Sequence, residues 1–217
     1  MGNNCCAGRD LLYKNKLQEF GIEGSKTIRK LLSFTSNDIL RFDKAYDEND
    51  VQEFVNLCSS TCEELDRVHA AVVALSFLSV DNVKNCICMF ESGALPYLIS
   101  GMKSNIDGMK AACAQTCRNI FVLDKKYKKE FLKLGGITQL VNLLELPSNY
   151  DDSQPLYTQL EAIYHLEDFI LNDGDEIPEF LEAVKNSNSI KNLKTLQQCP
   201  EQDLAEASNV LLLRLTD

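Results

Sequence analysis

Residues 135–144, GGITQLVNLL, decide how the chain folds. Two glycines punctuate the chain, and Ile137, Leu140 and Val141 then follow at the i, i+3, i+4 spacing of one apolar helix stripe. The stripe returns as Val51, Phe54 and Val55 in DVQEFVNLC (50–58) and as Leu95, Leu98 and Ile99 in ALPYLISGM (94–102). It returns again as Ile177, Phe180 and Leu181 in EIPEFLEAV (176–184). These four stretches start 44, 42 and 40 residues apart. Each is followed by a longer helical pattern: LDRVHAAVVALSFLS (65–79), GMKAACAQTCRNIFV (108–122), YTQLEAIYHLEDFIL (157–171) and EQDLAEASNVLLLRL (201–215). Small residues such as Ala71, Ala112, Ala114, Ala162 and Ala207 sit on these helices and permit close approach of neighbours. Breakers separate the units: SNIDG, LGG, LPSNYDDSQP, NDGDE and QQCP. No alternating strand pattern is evident, so the expected class is all-α.

A helical unit of roughly 40–47 residues matches the armadillo and HEAT repeats, in which one unit cannot bury its own stripe and stacked units share a continuous core. GGITQLVNLL and SGALPYLI resemble the armadillo signature, where a glycine and a small residue lead from a short first helix into a second. AAVVALSFLS and AQTCRNIFV resemble its third helix. The expectation is an armadillo-type right-handed α-solenoid of about four repeats over residues 47–217, ending at a polar cap, RLTD. Residues 9–46 read as short amphipathic helices, an N-terminal cap or degenerate repeat, behind a flexible leader of residues 1–8.

Across its 217 residues the chain is 45% hydrophobic and 25% charged, as a folded domain is, and no apolar run reaches the roughly 20 residues of a membrane span. A formal net charge of -10 argues against nucleic acid as a partner. The charge is uneven: residues 1–30 are net basic, DKKYKKEFLK (124–133) holds five lysines, and residues 134–184 hold eleven acids with no Lys or Arg. That acidic block biases partner choice toward basic surfaces.

Catalytic constellations are sparse. His69 and His165 lie inside helical patterns and read as structural. Cys58/Cys62, Cys113/Cys117 and Cys86/Cys88 lack zinc-knuckle spacing and read as packing thiols of a reducing compartment. NDGDEIPE offers oxygens for calcium without the EF-hand spacing and reads as an exposed linker. We expect no enzyme activity, no metal and no cofactor beyond covalent lipid.

Binding is what remains. Importin-like armadillo proteins carry an asparagine on successive third helices, with a tryptophan one turn earlier, and grip extended basic peptides. The corresponding positions here are Phe77, Asn119, Asp168 and Arg214, and Val73, Gln115, Tyr164 and Val210. Only Asn119 matches, and the chain has no Trp. A soluble import-type adaptor is therefore the secondary reading. Asn119, Gln115, Tyr164 and Asp168 are the candidate partner-binding residues of the groove.

The chain opens MGNNCCAGRD. A glycine exposed by removal of Met1, followed by small or polar residues, is an N-myristoylation pattern, although Cys6 stands where Ser or Thr is usual. Cys5 and Cys6 lie where a palmitoyl transferase reaches them. One myristoyl chain binds membranes only marginally, on the order of 10⁴ M⁻¹, so a second lipid or a basic segment is needed for stable attachment. An unmodified leader is the plain alternative, and a vicinal disulfide would be strained.

The leader and the repeats together resemble the dual-acylated armadillo repeats only family of apicomplexan parasites, acylated at the positions of Gly2, Cys5 and Cys6. The resemblance implies a scaffold attached by myristate and palmitate to the cytosolic face of the rhoptries, peripheral to the membrane, which positions these secretory organelles at the apical pole. It implies an unconventional myosin and an adenylate cyclase as partners.

Overall fold

The computed structural model describes residues 48–59, 65–147, 150 and 156–216. The leader with Gly2, Cys5 and Cys6, the segment 9–46, and Cys62 lie outside the described residues. Eleven helices are present among the described residues, falling into two compact units that divide after Leu98.

The first unit holds α1 (Glu48–Ser59), α2 (Leu65–Ser79) and α3 (Val83–Glu91). The α1 stripe Val51, Phe54 and Val55 is buried, as its spacing predicts. Helix α2 buries five consecutive residues, Ala71 through Leu75, so this part of it is covered on every side. Asn82 caps α3 by accepting the Asn85 N–H at 3.0 Å, and Asn85 Nδ2 donates back to the Leu78 carbonyl at 2.9 Å. These bonds close the sharp turn through Asp81, whose φ is +50°.

Helix α4 (Leu95–Gly101) carries the chain across the boundary. The second unit contains α5 (Asp107–Phe121), α6 (Lys125–Lys133), α7 (Gly136–Asn142) and α8 (Tyr157–Ile170). A short hairpin, β1 (Leu171–Asn172) and β2 (Asp175–Glu176), leads to α9 (Pro178–Lys185), α10 (Ser189–Leu196) and α11 (Gln202–Thr216). Its core is organised by four buried phenylalanines. Phe121 of α5 meets Phe131 of α6 at 5.1 Å and Phe169 of α8 edge-on at 5.4 Å, and Phe169 meets Phe180 of α9 at 4.8 Å.

The glycine pair of the opening stretch has two separate jobs. Gly135 adopts φ +77°, the left-handed turn out of α6. A Cβ on Gly136 would run into the Phe131 ring, so only glycine lets α7 start against that core.

Two features differ from the sequence expectation. The stripe of EIPEFLEAV implies a second helix like the other three, yet α9 is a first helix: it packs on α8, while α10 is the helix that pairs with the closing helix α11. Accordingly Phe180 is buried, whereas Ile177 and Leu181 are only half-buried. The ten residues of LPSNYDDSQP, ahead of α8, lengthen the third unit and disguise the register. NDGDE, expected as an exposed linker, forms the β1–β2 hairpin. Asp173 and Gly174 supply the two positive φ angles, +53° and +90°, that a two-residue turn between twisted strands requires.

Candidate third-helix face

The importin-type column falls at the same turn of each long helix, near the C-terminal ends of α2, α5, α8 and α11. Within the first unit it is closed: Val73 is buried and Phe77 half-buried. Within the second unit three of its residues, Gln115, Asn119 and Asp168, are polar and joined. Gln115 Nε2 donates to Asn119 Oδ1 at 2.9 Å. Arg118, one position before Asn119, donates from Nε to Asp168 Oδ2 at 2.7 Å and from a terminal nitrogen to Asn119 Oδ1 at 3.4 Å. Three of the four candidate groove residues, Gln115, Asn119 and Asp168, thus belong to one network through an arginine that the sequence reading did not single out. Tyr164, one turn before Asp168, stays 44% exposed on the same ridge. Tyr157 of α8 and Val210 and Leu213 of α11 are exposed as well.

Beneath Asp168 lies Lys128 of α6, buried although it belongs to the basic run DKKYKKEFLK. Its Nζ donates to the Asp168 carbonyl at 2.7 Å and to the Leu171 carbonyl. A cation thereby caps the C-terminus of α8, where helix carbonyls lack partners. Burial lowers the Lys128 pKa, and the Asp168 and Asp173 charges oppose that shift. A signal existed in the sequence: Lys128 lies three residues before the buried Phe131, on the inward stripe, and a lysine stem packs as an apolar chain does. On the other flank, Arg214 of α11 bonds Glu176 of β2 at 2.7 Å. Burial raises the Glu167 pKa, partly offset by Arg214.

His165 is buried on the inward side of α8, and burial, aided by the Arg118 charge and opposed by Asp168, pushes its pKa down to about 4. It is neutral at physiological pH. His69 is buried in α2. Burial pushes the Cys58 and Cys86 thiols up to about 12 and Cys117 higher still, which keeps them protonated and poorly nucleophilic. Among the described residues no three of His, Cys, Asp and Glu converge as metal ligands do, and no helix is long and apolar enough to cross a membrane.

Helix triplets with this order and these glycine turns define an armadillo-repeat protein, a fold that serves as a scaffold. Designed armadillo proteins share it: one in complex with the peptide (KR)4 aligns with a TM-score of 0.66 at 15% identity, covering all of this chain and 87% of that one. Another, designed for modular peptide recognition, aligns at 0.67 and 14%, covering all of this chain and 88% of that one. The armadillo repeats only protein from Plasmodium falciparum is 76% identical, with a TM-score of 0.70, over 85% of this chain and the whole of that chain. The chain belongs to the armadillo repeats only family. No protein-family model and no curated protein matches it.

Proposed function

We propose that the chain is a non-enzymatic scaffold held to an organelle membrane by its N-terminus. Myristate on Gly2 and palmitate on Cys5 and Cys6 hold the armadillo domain on the cytosolic face of a secretory organelle, by resemblance the rhoptry. The third-helix face recruits a motor and a signalling protein, by resemblance an unconventional myosin and an adenylate cyclase, and so positions the organelle at the apical pole. The observation that carries this reading is the 76% identity to the Plasmodium falciparum protein over the whole of that chain. The leader supports it physically, because two lipid signals next to each other are what stable attachment demands.

Localisation in the native cell tests it. Gly2→Ala is expected to make the protein fully soluble. Cys5→Ala with Cys6→Ala is expected to leave weak, diffuse membrane association, since myristate alone binds marginally. Wild-type localisation of both variants would contradict the anchor.

A further inference from the structure

We infer that Arg118 is a resident counter-ion that closes the third-helix face of residues 99–217 to basic peptides. This rests on the proposal that this face is the partner surface, and it names what that surface rejects. The acidic block of residues 134–184 contains no Lys or Arg and, as sequence, invites a cationic partner. The fold instead brings cations to it from outside the block. Arg118 takes Asp168 at 2.7 Å, Arg214 takes Glu176 at 2.7 Å, and Lys125 and Lys129 sit 3.7 and 3.6 Å from the two oxygens of Glu179. One guanidinium also spans two helices, engaging Asn119 on α5 and Asp168 on α8, the acceptors that an incoming lysine or arginine would use. The Asn119 oxygen already holds Gln115, and the Asp168 carbonyl already holds Lys128. A basic side chain arriving here meets like charge and must displace Arg118 to find an acceptor. The pair is nevertheless open to exchange, because the Arg118 and Asp168 side chains keep 36% and 37% of their exposure. What α8 and α11 leave exposed is apolar as well: Tyr157, Tyr164, Val210 and Leu213.

The test is fluorescence anisotropy of a labelled octapeptide of alternating Lys and Arg, titrated with the full-length, unacylated chain at low salt. Four proteins are compared: wild type, Arg118→Gln, Arg118→Gln with Asp168→Asn, and Lys133→Gln, which removes one exposed positive charge from α6. Urea midpoints verify that each is folded. Arg118→Gln is expected to bind about fivefold more tightly than wild type, the scale of one partly exposed ion pair, with the gain shrinking as salt is added. Adding Asp168→Asn is expected to abolish the gain, and Lys133→Gln to stay within about twofold of wild type. Equal gains from Arg118→Gln and Lys133→Gln would overturn the inference in favour of net charge alone. Binding by wild type as tight as by Arg118→Gln would overturn it while leaving the face a peptide site. No binding by any variant would overturn it and remove the basis for this face as a peptide surface, leaving the lipid anchor to its own test.

Discussion

Helices α2 and α8 are third helices of the same fold, yet they present opposite chemistry at equivalent positions. On α2 the positions are Val73, buried, and Phe77, half-buried. On α8 they are Tyr164, exposed, and Asp168, ion-paired to Arg118 and capped through its carbonyl by Lys128. Both helices bury the same kind of inward stripe: Val72 and Leu75 in one, Ile163, Leu166 and Phe169 in the other. The repeat therefore fixes the inward stripe, which every unit needs in order to have a core, and leaves the column free to vary. In the second unit Gln115, Asn119 and Asp168 of the column are joined through Arg118, whereas no such network forms at Val73 and Phe77.

Three measurements probe the chemistry that sets α8 apart from α2. Lys128→Met keeps the apolar stem and strands the Asp168 and Leu171 carbonyls, so it is expected to cost about 2–4 kcal/mol in urea unfolding. No loss would mean that the α8 terminus does not depend on its cation. The second concerns His165. Its native pKa of about 4 lies below its ordinary 6.5, so between those values the unfolded chain binds the extra proton and stability rises with pH. Lowering the pH from 7 to 4.5 is expected to remove about 2 kcal/mol through this group alone, read as wild type minus His165→Gln, the carboxylates common to both cancelling. Parallel stability curves for the two proteins would contradict the buried, neutral imidazole. The smallest effect is that of Arg118→Gln on stability, expected below about 1 kcal/mol because the pair is more than a third exposed. A larger loss would make Arg118 a structural residue.

Elements governed by local periodicity were legible in the sequence. The stripes at Val51, Leu95 and Ile137 and the four long helices all lie where the spacing places them. The stripe at Ile177 also forms a helix, but i, i+3, i+4 spacing says only that a helix has an inner face. It does not say whether that helix is first or second in its unit, and the insertion before α8 removed the one clue, the period. Asp173-Gly174 was legible as a hairpin signal and was overshadowed by the helical repeat on both sides. The candidate face was half legible. Asn119, Gln115, Tyr164 and Asp168 follow from the column, because equivalent turns of stacked helices share a face. Arg118 and Lys128 were hidden because their partners lie 50 and 40 residues away, beyond any local pattern. Lysines in a run also look solvated until one of them is found on the inward stripe.

The lipid anchor stands or falls on the intact mass of the protein purified from its native cell. The expected species is a chain without Met1 carrying one myristoyl group and one or two palmitoyl groups. Hydroxylamine, which cleaves thioesters and spares the amide, should remove the palmitate and leave the myristate. A chain with an unmodified N-terminus, before and after hydroxylamine, would contradict it.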